Sequence, residues 1–136
     1  MKVASDQNCF VCGPENRIGL NANFLVDEQN RTSEVSVSLP ESYQGWQGVV
    51  HGGIISALLD EAAIYACRPI LLHGVTAELN IRFRKPVPTK TEVKIQAAVV
   101  SLKRKIALVR SSMFCNGELM AEADVKVLLL DNSREV

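Results

Sequence analysis

An α+β domain, in which a long antiparallel sheet wraps around one central helix, is predicted by three features of the sequence. Apolar residues alternate with polar ones on both sides of a single stretch dense in Ala, Leu and Ile. That stretch, from Gly52 to about Cys67, is apolar on nearly all sides, so another part of the chain must cover it. Only one long helix is available, and a doubly wound parallel sheet would need several for its crossovers.

The elements follow in order. Leu20 to Val26 and Ser33 to Leu39 carry partial alternation, clearest where Val35, Val37 and Leu39 face away from Glu34, Ser36 and Ser38, and these predict a first pair of strands. Pro40 to Gly48 is rich in turn residues. The helix follows, with few polar positions: Ser56, Asp60, Glu61 and then Arg68. Alternation resumes with Val75, Ala77, Leu79, Ile81 and Phe83 on one face, until Pro86 and Pro88 stop the strand. Three more strands are predicted: Glu92 to Leu102, Ile106 to Cys115, and Leu119 to about Leu129. Lys103-Arg104-Lys105 and Asn116-Gly117 supply the hairpin turns between them.

A chain of 136 residues fits one domain, 1–136, with an N-terminal extension over 1–17 and a polar tail over 131–136; no repeat or linker divides it. Fifteen basic side chains balance fifteen acidic ones, so no global field draws the protein to nucleic acid or to an acidic membrane. Asp60, Glu61, Arg68 and Pro69 interrupt the most apolar region, Ile54 to Leu72, which argues against a membrane span. The N-terminus does not read as a secretory signal, and four cysteines in such a chain are expected to stay reduced, so the expected location is the cytoplasm.

The chemistry concentrates in His51 to Ala63. Gly52 and Gly53 open the helix, where unpaired N–H groups and the helix dipole make an oxyanion site. Asp60 lies within the apolar helix, where a carboxylate is costly unless it has a partner or a task. Arg68 is eight residues on, about 12 Å along the axis, too far for an intrahelical pair. Glu61 points about 100° away from Asp60 and is read as a rim or partner-forming residue. Gly53 and Asp60 are separated by roughly 10 Å of helix, whereas base and oxyanion donors must converge on one carbonyl. An obligate homodimer, with helices antiparallel about a two-fold axis, would bring Asp60 of one chain to the glycines of the other.

His51-Gly52-Gly53 with Asp nine positions after the His, the run Leu58-Leu59-Asp60-Glu61-Ala62 and the strand from Gly74 to Val87 together resemble the hotdog-fold acyl-CoA thioesterase superfamily. Within it, the resemblance is to the branch of 4-hydroxybenzoyl-CoA and phenylacetic-acid-pathway thioesterase-like proteins. It implies a hotdog fold and hydrolysis of an acyl-CoA thioester. By it, Asp60 is general base or nucleophile and the Gly53 N–H polarises the thioester carbonyl, with Gly52 and His51 close by. By the resemblance, Thr76 matches a position where a Ser or Thr helps orient the carboxylate or water, although strict alternation turns it to the other face unless a bulge intervenes or it faces a partner.

An acyl-CoA substrate calls for a basic cluster: Arg82, Arg84 and Lys85 are one candidate, Lys103 to Lys105 another. Trp46 and Tyr43 either line the acyl pocket or anchor the loop before the helix. Cys9-Phe-Val-Cys12, followed by Gly13-Pro14, resembles one zinc knuckle, but no second closely spaced Cys/His pair exists, so no metal centre or cofactor is expected and the pair is assigned to an intersubunit or N-terminal packing role. Cys67 and Cys115 read as buried packing residues. The alternatives within this fold are a hydratase or dehydratase of acyl thioesters and a non-catalytic acyl-CoA-binding protein. Pairing of dimers into a homotetramer is compatible with the architecture.

Overall fold

The computed structural model describes residues 3–70 and 73–130; the polar tail assigned to 131–136 lies outside the described residues. In chain order the elements are β1 (Leu25–Asp27), β2 (Thr32–Ser38), a 3-10 turn (Glu41–Tyr43), α1 (Gly52–Cys67), β3 (His73–Phe83), β4 (Glu92–Lys103), β5 (Ile106–Cys115) and β6 (Glu118–Leu130). All neighbouring strands are antiparallel, in the order β1-β2-β4-β5-β6-β3. The β4–β5 and β5–β6 connections are tight hairpins: Arg104 and Asn116 adopt positive φ, and Gly117 completes the Asn-Gly turn.

The first strand is shorter than the alternation predicts. Leu20 and Ala22 donate their N–H groups to Phe10 and Val11 carbonyls, so residues 20–22 pair with the N-terminal segment and only Leu25–Asp27 joins the sheet. The result is a strap, residues 9–22, lying over the helix.

The inner face of the sheet is lined by Val93, Ile95 and Ala97 of β4, Ala107, Val109 and Met113 of β5, and Ala121, Ala123, Val125 and Val127 of β6. These meet Leu58, Leu59, Ala62, Ala63 and Ala66 of α1, none of which is exposed. Small residues on both sides let helix and sheet approach closely, and dense packing makes the fit sensitive to volume. Two buried serines complete the contact. Ser111 Oγ donates to the Leu59 carbonyl at 2.8 Å and Ser33 Oγ to the Ala62 carbonyl at 2.6 Å, one on each side of Asp60 and Glu61. Ser111→Ala removes one such donor while the helical bond to that carbonyl remains, so unfolding should cost about 1 kcal/mol less by denaturant titration. A neutral result would show that the serine does not hold the helix.

The expectation of a helix covered on all sides needs correction. The sheet buries one face only; Ile54, Ala57, Asp60 and Ile64 are half-buried and Gly53 is exposed. One chain has one sheet, and a sheet curled against a single helix leaves the opposite stripe open. No helix among the described residues is long and apolar enough to cross a membrane.

Candidate active site

Asp60 sits in the middle of that open stripe. Thr76, on β3, donates its hydroxyl to Asp60 Oδ1 at 2.5 Å. The register between β3 and β6 shifts between Thr76 and Glu78, so Ala77 is an extra residue in the ladder. This bulge resolves the conflict in the strand's alternation: it re-aims Thr76 toward the helix without turning the following residues over. Asp60 Oδ2 has no protein partner among the described residues, and the carboxylate is thus fixed at one oxygen and open at the other.

His51 is the N-cap of α1. Its Nδ1 accepts the Gly53 N–H at 2.8 Å, so the donor assigned to the oxyanion from sequence is engaged by the chain itself. The Gly52 N–H, at the first helical position, has no intrahelical acceptor and meets none among the described residues. The amide left without an acceptor here is therefore that of Gly52.

Neither glycine is demanded by a positive φ. A Cβ on Gly52 would make ordinary contact with the Phe83 ring at 3.5 Å, and one on Gly53 would crowd only the His51 ring, at 3.0 Å. At the first two positions of a helix, glycine costs less than the ~1 kcal/mol relative to Ala that applies in the interior. Packing within the chain gives little return for that cost, which points to close approach by something outside it.

In the first of the two predicted phosphate clusters every cation is ion-paired. Arg82 pairs with Glu122 at 3.1 Å and Asp124 at 3.2 Å, Arg84 pairs with Glu122 at 2.8 Å, and Lys85 pairs with Glu118. Hydrogen bonds from Arg84 and Arg82 hold Glu122 below the usual carboxylate range, and Arg110 followed by Arg82 does the same to Asp124. Cross-strand neighbours on β6 supply these acids, a pairing that the strand sequence alone does not display.

Tyr43 and Trp46 are placed differently. Tyr43 donates its hydroxyl to the Gly19 carbonyl at 3.1 Å and anchors the loop to the strap. Trp46 is 86% exposed and lines a hollow of about 430 Å³ with Gly45, Val49, Val50, His51 and Gly52. A larger hollow of about 710 Å³ lies over the outer sheet face by Leu25, Gln96, Val100 and Arg110, where neither the helix start nor Asp60 is present.

On the strap side, Glu61 Oε1 accepts from Cys12 Sγ at 3.2 Å and Cys9 Sγ at 3.6 Å. Burial foremost, reinforced by the Glu61 carboxylate and opposed by the Tyr65 hydroxyl, pushes the Cys12 thiol up to about 12. Sequence reading missed this contact because Glu61 is 49 residues from Cys12. It also missed Ser33 and Ser111, since a polar residue on an alternating strand gives no sign of which helix carbonyl it will meet. The one available signal was a serine at an inward-facing position of each strand.

Comparison with known proteins decides the family: the family model of the thioesterase superfamily matches residues 47–125, more than half of the chain. The chain belongs to the thioesterase superfamily. The match includes the helix start, Asp60, Thr76, Arg82 and Arg84, and leaves the strap outside. Among solved structures, this superfamily member is similar to a variant of the phenylacetic acid degradation protein PaaI from Thermus thermophilus, with TM-score 0.75 and 23% identity over 82% of this chain and 95% of that one. It is similar also to the PaaI protein of the E. coli phenylacetic acid degradation operon, with TM-score 0.75 and 18% identity, covering 82% and 80% of the two chains. At these identities the likeness establishes the hotdog fold. Among curated sequences, MIOREX complex component 3 of Saccharomyces cerevisiae is 35% identical over 68 residues, 48% of this chain and 25% of that protein. An uncharacterized mitochondrial protein of Candida albicans is 34% identical over 87 residues, 62% of this chain and 39% of its own length. The thioesterase-superfamily chain thus spans well under half of these two relatives.

Proposed function

We propose that this protein hydrolyses an acyl-CoA thioester, and that the Thr76–Asp60 hydrogen bond is the observation that carries the reading. A carboxylate fixed at Oδ1 and open at Oδ2 can take a proton from water, or attack directly, with little reorganisation. Water attack on the thioester carbonyl would develop an oxyanion, which the Gly52 amide at the helix start stabilises. Collapse would then expel the CoA thiolate, which takes up the proton held by Asp60.

Asp60 lies on a stripe of α1 that runs back to the helix start, one residue beyond the Gly52 amide. Gly53, Ala57, Asp60 and Ile64 follow at spacings of four, three and four, so they share a face, with Ala57 midway. An antiparallel copy of α1 crossing at Ala57 would set Asp60 opposite the partner's helix start and cover the open stripe of both chains. Two further features favour such a homodimer. β3 is an edge strand, with Leu79 and Phe83 exposed at 37% and 55%, and long edges with apolar side chains invite pairing. Trp46 also lies bare beside the helix start. The hydratase reading needs a histidine working beside a carboxylate, whereas His51 Nδ1 is occupied as a cap.

The test is a panel of aryl, medium-chain and hydroxylated acyl-CoA esters, followed by dye detection of released thiol. Thiol release from at least one ester is expected. Hydration of an enoyl-CoA without thiol, or binding of esters without turnover, would replace the proposal by one of its rivals. The sequence holds one tryptophan, so binding can be read separately as a blue shift and quench of Trp46 emission.

A further inference from the structure

We propose that Cys9, Cys12 and Glu61 form a binding site for a divalent cation of the zinc class, which fastens the N-terminal strap to α1 beside Asp60. The donor atoms of the three residues lie within 4.8 Å of one another, all half-buried. For tetrahedral zinc with Zn–S of about 2.3 Å and Zn–O of about 2.0 Å, the sulfur-to-oxygen edge is about 3.5 Å. The two sulfur-to-Glu61 separations, 3.2 and 3.6 Å, bracket that edge. Two of the three edges are therefore ligand-like before any rearrangement, and the sulfur-to-sulfur edge lies within 4.8 Å.

The turn that carries the cysteines has its own ligand-holding geometry. Cys12 N–H points at Cys9 Sγ at 3.5 Å, a bond that favours sulfur carrying negative charge. Gly13 donates its N–H to the Cys9 carbonyl at 2.9 Å and closes the loop. A Cβ at Gly13 would fall 2.4 Å from Cys9 N and 2.6 Å from both the Cys9 and Gln7 carbonyls, so the tight wrap around Cys9 requires glycine. A packing role needs neither this wrap nor two thiols directed at one carboxylate. Two thiols and a carboxylate in a half-buried cluster are also a poor apolar contact, and a cation that replaces the thiol protons turns the cluster into an attraction. Soft sulfur with one oxygen selects zinc-like ions over magnesium or calcium, and three protein donors leave the fourth position to water.

The consequence is a clamp. The strap runs from these cysteines to Ala22, Tyr43 ties the active-site loop to it, and Glu61 adjoins Asp60 on the helix. The test uses the full reduced chain, stripped with chelator and titrated with Co²⁺ and then Zn²⁺. One equivalent of Co²⁺ should produce thiolate-to-metal absorption in the near ultraviolet, and Zn²⁺ should displace it. Cys67 and Cys115 are buried whereas Cys9 and Cys12 are half-buried, so thiol dye at alkaline pH should reach two groups ahead of the others in the stripped native protein and neither of them after Zn²⁺. Cys12→Ser should abolish the absorption, and Glu61→Gln should weaken Zn²⁺ binding at least tenfold while keeping it. Absence of the absorption in folded wild type, or its persistence in Cys12→Ser, would overturn the site. So would two dye-reactive thiols that Zn²⁺ leaves unprotected. None of these readouts depends on thioester turnover, so the site and the proposed hydrolysis stand or fall separately.

Discussion

Asp60→Asn should lower thioester turnover by about 10²–10⁴-fold, the usual contribution of a general base, with little change in thermal stability. Asn keeps the shape of the side chain and still offers an oxygen to Thr76, so the hydrogen bond at 2.5 Å survives as a neutral contact. What disappears is the basic oxygen. Asp60 is half-buried and forms no ion pair among the described residues, so neutralising it leaves no buried countercharge behind. Steady-state kinetics and a melting curve on the same preparation separate the possibilities. Turnover within threefold of wild type would remove Asp60 from the chemistry, and a loss that tracks a fall in melting temperature would make it structural. Thr76→Val should then reduce kcat about tenfold with KM little changed, and Thr76→Ser should restore it, because only the hydroxyl is at issue.

Mixing two inactive variants should regenerate about a quarter of wild-type activity if each site is shared between subunits. One variant carries Asp60→Ala; the other carries Gly52→Val and Gly53→Val, which block close approach to the helix start. After co-refolding in equal amounts, half the dimers are mixed, and in each of these one site combines an intact Asp60 with an intact glycine pair. Sites built within one chain would stay dead in every combination. The stripe geometry makes the expectation sharp, because one rigid helix holds Gly53 and Asp60 about 10 Å apart on the same face. Activity at background in the mixture, with mixed dimers demonstrated by mass, would end the shared-site reading.

Patterns with short periods were legible in the chain. The helix from Gly52 to Cys67 and the strand from Ile106 to Cys115 have the predicted bounds, because propensity, apolar content and turn residues agree there. The first strand did not, because residues 20–22 found their hydrogen-bond partners in the strap. The bulge at Ala77 illustrates the limit well. Sequence exposed the problem, a threonine on the wrong side of an alternating strand, and only the pairing with β6 supplied the answer.

By itself the sequence determined the order of elements, the single central helix, and the placing of two glycines and one carboxylate on it, since these depend on residues near one another in the chain. Tertiary structure decided which groups meet: Thr76 with Asp60, Glu61 with the two cysteines, His51 with the Gly53 amide, and Arg82 and Arg84 with acids of β6. Those contacts join residues on different elements, and their partners are set by strand register, a local bulge and the seating of helix on sheet. Directional bonds of about 3 Å depend on such geometry, and side-chain identity along a line does not contain it.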